Sequence, residues 1–419
     1  MDNYLYPLPR KILLKRFESL FWCIAHRSSV SFVGLPESAK SGYLQFILSK
    51  PDHLEELLQD HIKNTILVYF SPISFEPNNP YAWLHQLNIK LAEIDSTYHC
   101  IQSNDPVIVL SSIQHYLIQL HDRGKHCVFI INNQEYWTSL PSVAGQIWKA
   151  IFDTKRHPPN PACSLVFLLH TSPYILQDSS DFFRELYIPL QENVLFFPTL
   201  SQEESLYTIQ RFSSFSHNEL SIQIKNMLVQ YSGGYYPVLR ESVRLFFRVK
   251  RKITQKHLLQ LGKHDVLLSL FQKMWDSFTE SEKSVLRRIV QYKSVPKDTE
   301  QQQFLSRLGV IANTGKLQSL WFEIFIREKM YRSALSPFEV DRFSYLSGIE
   351  QTLIHEFLKR KNEVISREEI AQILWGEKYL EKYSDWAIDK TISRMRKNME
   401  HHHSTISVQT IKGKGYQII

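Results

Sequence analysis

Through residues 1–198, short runs of β-branched and aromatic residues alternate with longer stretches of helical period. The runs at 29–33, 65–70, 127–131, 164–169 and 194–197 are each bounded by polar or turn-forming residues. That alternation predicts helices packed around a mostly parallel sheet. Within it, 155–161 (KRHPPNP) reads as a surface loop, because proline removes a backbone donor and constrains its predecessor. After Pro198 the strand pattern ends. Ser201 with Glu204 forms a capping box and opens a helical segment over 199–252. Thr279 with Glu282 opens a further helix. A stop at Gly309, a short strand pair around Asn313 to Gly315 and a helix containing Trp321 to Lys329 follow.

The last part of the chain has its own pattern. Ser347 with Glu350 and Ser366 with Glu369 are two more capping boxes, each ahead of an apolar-periodic run. A third helix is expected over 385–399, where Ile388, Ile392, Met395 and Met399 fall on one stripe. Its other face carries Lys390, Arg394 and Lys397. Two β-prone runs, 406–410 and 412–419, close the chain around Lys412-Gly413-Lys414-Gly415, a hairpin with lysines at its tip.

The expected organisation is an α/β domain over 1–198, a helical lid with a basic segment over 199–262, a small helical or winged-helix unit over 263–333, and a winged helix over 338–419. The fold class is therefore multidomain α/β plus α+β. With 419 residues, several domains can each bury a core.

Charge sharpens this picture mainly by where it lies. The net charge is +7 and the pI near 9.0. Residues 244–263 hold seven basic side chains and no acidic one, and 390–414 hold six (Lys390, Arg394, Arg396, Lys397, Lys412, Lys414) against Glu400 alone. A helix apolar on one side and cationic on the other suits the major groove of duplex DNA. Arg394 is the candidate to fork onto a guanine edge, with Lys390, Arg396 and Lys397 neutralising phosphates. Cys23, Cys100, Cys127 and Cys163 form no C-x-x-C pair and read as reduced, buried thiols, so no zinc site is expected. His401-His402-His403 reads as a solvated loop. No apolar run reaches membrane-spanning length and the start MDNYLYPLPRK lacks a signal stretch, which leads to a cytoplasmic expectation with no membrane partner.

One motif points to nucleotide. Gly34-Leu35-Pro36-Glu37-Ser38-Ala39-Lys40-Ser41 is close to G-x-x-x-x-G-K-[ST], lying after a strand and before a helix, the context in which loop amides cradle phosphates. Lys40 would meet the β and γ phosphates and Ser41 a magnesium ion. Ala39 stands where the final glycine belongs. The strand at 127–131 leads into Asn132-Asn133-Gln134-Glu135, so neutral amides occupy the acidic positions that hydrolysis needs. Glu135, two residues late, is the one carboxylate left for that role.

These residues carry two resemblances. Ser366-Arg367-Glu368-Glu369, Leu374-Trp375-Gly376, Ala387-Ile388-Asp389, Ile392-Ser393-Arg394-Met395-Arg396-Lys397 and Thr410-Ile411-Lys412-Gly413-Lys414-Gly415-Tyr416 together resemble the OmpR/PhoB-type winged-helix effector domain, over about 75 residues with the elements in order. The resemblance implies DNA-facing positions at Lys390, Thr391, Ser393, Arg394 and Arg396 on the recognition helix and Lys412 on the wing. Ser393 stands where the family often has a second arginine, Lys412 where it usually has arginine, and Trp386 at a usually polar position.

Over residues 10–255 the P-loop, Thr171 and Ser172 at a strand end, Leu200-Ser201-Gln202-Glu203-Glu204, and Gly233-Gly234-Tyr235-Tyr236-Pro237 resemble the STAND or initiator-like branch of AAA+ ATPases. That resemblance implies bound ATP or ADP, with magnesium, near Gly34, Lys40, Ser41, Thr171 and Pro237, and makes Arg184 and Arg240 candidates for sensing phosphate.

The function so expected is a sequence-specific DNA-binding transcriptional regulator, gated by nucleotide on a hydrolysis-impaired ATPase-like module that also offers a homo-oligomer interface. Two other readings stay open: a scaffold in a defence or replication-type complex using its winged helices for protein or nonspecific DNA contacts, and a slow ATPase working on DNA.

Overall fold

The computed structural model describes residues 7–72, 79, 81–155, 161–215, 220–248, 255–292, 299–333, 343, 345–360, 363–375, 384–402 and 406–419. It falls into two units, Met1–Phe325 and Ile326–Ile419.

In the first unit, all five expected strands form. They are β1 (Val30–Gly34), β2 (Thr65–Phe70), β3 (His126–Ile131), β4 (Cys163–Leu169) and β5 (Val194–Phe197), in the order β2-β3-β4-β1-β5. Every pairing is parallel, with Val33 opposite Leu169 and Phe196 on its two sides. The three central strands are buried at every position and the two edge strands only in part. A parallel sheet covered on both faces requires such unbroken apolar runs.

Helix Arg10–Ala25 lays Phe17 against Phe32 and Phe197, with ring centroids 5.5 and 5.6 Å apart. A second aromatic cluster stacks Trp83 on Trp148 at 5.1 Å, with Trp137 edge-on to both. Two buried polar side chains in the sheet are satisfied. Ser31 Oγ donates to the Leu190 carbonyl at 2.6 Å, and His126 meets Ser164 and the Pro161 carbonyl at 3.0 Å each. Burial pushes the His126 imidazole down to about 4, so it stays neutral. Cys23, Cys127 and Cys163 are buried as expected, but Cys100 is exposed, because it follows the end of helix Ala82–Ile94 in an irregular stretch.

Helices Gln202–Phe215, Ile222–Ser232 and Tyr236–Arg248 follow the sheet. The first opens on the expected capping box: Ser201 donates its amide to Glu204 at 2.6 Å and Ser201 Oγ accepts from the Glu204 amide at 3.3 Å. Arg16 reaches the same carboxylate at 2.7 Å and the Pro198 and Thr199 carbonyls at 3.0 and 2.9 Å, which ties the first helix to the start of this segment. Gly234 has φ +71, and a Cβ there would meet the Leu200 carbonyl at 2.0 Å, so only glycine lets these two turns touch.

Helices Asp265–Asp276, Glu280–Tyr292, Glu300–Arg307 and Leu320–Ser333 complete the series. The strand pair expected around Asn313 is a single antiparallel bridge, Ile311 to Leu317, too short to count as strands. The basic stretch at 244–256 is no single described helix. Arg244 and Arg248 end one helix, Lys256 lies in the next (Gln255–Leu261), and Lys250, Arg251 and Lys252 fall outside the described residues, as does 156–160 of the proline-rich loop.

The second unit holds helices Gly348–Lys359, Arg367–Trp375 and Asp385–His401 and the antiparallel hairpin β6 (Val408–Ile411) with β7 (Gly415–Ile418). Leu353, Ile354, Phe357, Ile370, Ile388, Ile392, Met395, Met399 and Tyr416 share its core. Tyr416 also pairs with Ile365, whose carbonyl would lie 2.1 Å from a Cβ on Gly415, so the glycine before Tyr416 is needed for that approach. Gly376 and His403 lie outside the described residues. The architecture is a mixed α/β chain with a five-stranded parallel sheet and a C-terminal winged helix.

Candidate functional site

The loop after β1 leads straight into helix Lys40–Leu48. Ala39 caps that helix with φ 66, and Glu37 has φ 54, so both occupy the left-handed region where glycine is at ease. Each such residue costs roughly 1 kcal/mol or more. The surrounding fold must hold both residues in that strained conformation.

Lys40, Ser41 and Glu135 line one cleft of about 660 Å³, together with Leu35, Glu37, Asn132, Gln134 and His170. Lys40 is buried and its Nζ donates to the Leu169 carbonyl at the end of β4. Burial lowers its pKa to about 7, a drop that the Glu135 carboxylate partly opposes. Ser38 Oγ, buried in the loop, has no hydrogen-bond partner among the described residues. Loop amides, a helix N-terminus, a desolvated lysine and an unsatisfied hydroxyl fit a phosphate group.

The acidic side of the cleft is different. Gln134 Oε1 accepts from the His170 and Thr171 amides at 2.8 and 3.3 Å, and its Nε2 donates to Thr171 Oγ1 at 3.0 Å. An amide thus holds β3 to β4 close to where a catalytic carboxylate would act. Glu135 Oε1 lies 2.9 Å from His170 Nε2, and that hydrogen bond pulls its pKa down to about 2. A carboxylate so acidic is a poor base for water.

The other candidates fall elsewhere. Gly34 ends β1, and Thr171 meets the cleft through Gln134 and His170. Pro237 is buried in the first turn of its helix and does not line the cleft. Arg184 pairs with Asp181 at 3.0 Å and Arg240 with Glu241 at 2.9 Å, and neither lines it either. Tyr235, passed over in the Gly-Gly-Tyr-Tyr-Pro run, donates its hydroxyl to the Pro36 carbonyl at 2.8 Å, and Tyr236 lies edge-on to Tyr43 at 5.9 Å. Lys273, Asp276 and Ser277 also reach the cleft, from a helix with no motif to announce them.

In the second unit, helix Asp385–His401 buries Ile388, Ile392, Met395 and Met399 and exposes Lys390, Ser393, Arg394 and Lys397. Ser384 caps it by accepting from the Ala387 amide at 3.4 Å. The cations on and beside it divide into two kinds. Arg394 Nε donates at 2.6 Å to Glu350, whose side chain is only 1% exposed. Glu350 also takes the Ser347 amide at 2.8 Å, and although burial alone would raise its pKa, Arg394 and Ser347 hold it below the ordinary value. Arg396 donates to the Val408 carbonyl at 2.6 Å and Thr410 Oγ1 at 2.8 Å, so it fastens the helix to the wing. Thr391 Oγ1 turns back to the Ala387 carbonyl at 2.9 Å.

Lys390, Lys397, Lys412 and Lys414 are exposed and make no ion pair among the described residues. Lys390 Nζ lies 4.6 Å from the Trp386 ring, which is itself 68% exposed.

Residues 343–418 match the family described as Transcriptional regulatory protein, C terminal. This regulator domain is 38% identical over 69 residues to the Phosphate regulon transcriptional regulatory protein PhoB of Klebsiella pneumoniae, a match covering 16% of this chain and 29% of that protein. The chain thus spans under a third of the length of that relative. Among solved structures, the Walker-type ATPase of Pyrococcus abyssi is similar at 14% identity and a TM-score of 0.45, over 76% of this chain and 96% of that one. The Aeropyrum pernix ORC1 protein in complex with DNA is similar at 10% identity and a TM-score of 0.39, over 98% and 88%. At these TM-scores the likeness carries no functional argument beyond what the regulator domain and the cleft supply. Among the described residues no helix is long and apolar enough to cross a membrane.

Proposed function

We propose that this chain is a cytoplasmic, sequence-specific DNA-binding transcriptional regulator whose regulator domain works under the control of nucleotide held in the P-loop cleft. The observation that carries the DNA reading is that Lys390 and Lys397 on the helix and Lys412 and Lys414 at the wing turn are exposed and make no ion pair among the described residues. Lysines so placed neutralise phosphates, while Ser393 and the outer fork of Arg394, whose side chain stays 57% exposed, face the base edges.

ATP or ADP is the ligand the cleft suits. Lys40 and the loop amides would hold its phosphates, Ser41 its magnesium, and nucleotide supplies the cleft with the anionic charge that Lys40 lacks. Hydrolysis is slow in this reading, since Asn132 and Asn133 stand at the acidic positions and Glu135 is committed to His170. The ATPase-like module provides the surface for self-association, and the domain limits 199–262, 263–333 and 338–419 mark the lid, the small unit and the reader.

A selection from random duplex DNA with the full chain, run with and without ATP, tests this. A defined site whose affinity changes with ATP in the parent, but not in Lys40→Ala, is the expected result. Recovery of no common sequence, together with affinity indifferent to salt, would remove the regulator and leave a scaffold that uses its winged helix for protein contacts.

A further inference from the structure

Lys273 sits on helix Asp265–Asp276, beyond the lid, yet its Nζ lies 2.5 Å from Glu37 Oε1 in the phosphate loop itself. Both side chains are about half exposed, so the pair is a weak one that water and ions compete with. Lys273 also lines the cleft beside Lys40 and Ser41. The two ammonium groups there are bound differently. Lys40 donates to a neutral backbone carbonyl, which leaves it able to take an anion as well, whereas Lys273 is held by a carboxylate.

A carboxylate at this point sits on the loop whose amides suit phosphate, and an entering phosphate meets it as a like charge. Glu37 has a left-handed backbone, with φ 54. From this geometry we infer that Lys273 is a phosphate ligand of the cleft and that Glu37 is the internal anion a nucleoside triphosphate displaces from it. The inference rests on the reading of the cleft as a nucleotide site and adds to it a ligand from outside the P-loop and the lid. Phosphate carries more charge than a carboxylate and accepts from several donors at once, so the exchange favours the nucleotide and draws the end of helix Asp265–Asp276 with it.

Titration of the full chain with fluorescent mant-ATP and mant-ADP, with magnesium, tests the exchange in Glu37→Gln, Lys273→Gln, the double variant and Lys40→Ala. Glu37→Gln should tighten mant-ATP by about fivefold, since a competing charge is gone. Lys273→Gln should weaken it by about tenfold through loss of a charged hydrogen bond. The double variant should recover part of the Lys273→Gln loss, because the like charge leaves with the cation, and the two single effects should not simply add. If Glu37→Gln and Lys273→Gln both stay within twofold of the parent while Lys40→Ala loses binding, Lys273 is no ligand and the nucleotide site stands. If Lys40→Ala binds as the parent does, or the parent binds neither nucleotide, the site reading fails and takes this one with it.

Discussion

The two candidate sites of this chain both gather cations, and they differ in what those cations touch. In the P-loop cleft Lys40 holds a carbonyl and Lys273 holds Glu37. In the regulator domain Lys390, Lys397, Lys412 and Lys414 hold nothing charged among the described residues, while Arg394 and Arg396 are engaged inside the fold. In the first, Lys273 must exchange a partner to take an anion, so that site responds to conditions. The second is ready for one, and its phosphate contacts weaken with salt.

The largest break in that contrast comes from the ready side. Replacing Lys390, Lys397, Lys412 and Lys414 together by alanine should reduce the slope of log affinity against log salt by about 3.6 and weaken duplex binding roughly a thousandfold at low salt. Gel shifts across a salt series measure both. An unchanged slope would mean the face is not the one phosphates meet.

Arg394 separates reading from folding. Arg394→Ala leaves the buried Glu350 carboxylate short of its cation, at a cost of about 2 kcal/mol in urea unfolding of the chain. Glu350→Gln in that background should recover most of the loss, and any loss of site preference that persists in the double variant belongs to DNA contact. No destabilisation in the single variant would show the Glu350 pair to be dispensable.

On the exchanging side, Lys40 makes binding depend on pH. Its pKa is depressed to about 7, so above that value it must gain a proton as phosphate enters. Affinity for mant-ADP should be flat below pH 7 and fall by up to about tenfold per pH unit above it. The sign for folding is opposite: burial disfavours the charged form, so Lys40 penalises the fold less as pH rises from about 7 toward the ordinary lysine value. A flat affinity profile to pH 9 would mean that Lys40 does not meet the anion.

The smallest effect is the strain in the loop. Ala39→Gly, at φ 66, should stabilise the chain by about 1 kcal/mol in thermal melts. If it destabilises instead, the left-handed turn is not strained.

Much of this was legible in the sequence because local rules and tertiary packing agreed. β2 and β5 carry their expected limits, β1 is shifted by one residue, and β3 and β4 begin one residue earlier, since each is an apolar run the sheet buries. The capping boxes at Ser201, Thr279, Ser347 and Ser366 form because their partners lie three residues away and need no knowledge of the fold. The cleft was half visible. Lys40 and Ser41 come with a motif, whereas Tyr235 and Lys273 reach the loop from 199 and 236 residues away, and no spacing rule spans that. The recognition helix was placed by its stripe. That Arg394 and Arg396 would be spent on Glu350 and the wing was hidden, because a cation on an exposed face looks the same whether or not a neighbouring element takes it.

One small bracket has a further consequence. Arg396 spans from the recognition helix to β6, and the Tyr416 ring of β7 lies 5.7 Å from its guanidinium while accepting a hydrogen bond from Arg367 at 3.2 Å. The gap between the helix and the lysine-tipped turn is therefore set by the polypeptide, as the jaws of a caliper are set by its frame. Two such grips at a fixed separation would meet a duplex as one rigid body, so groove width, which varies with sequence, would bear on the fit before any base is inspected.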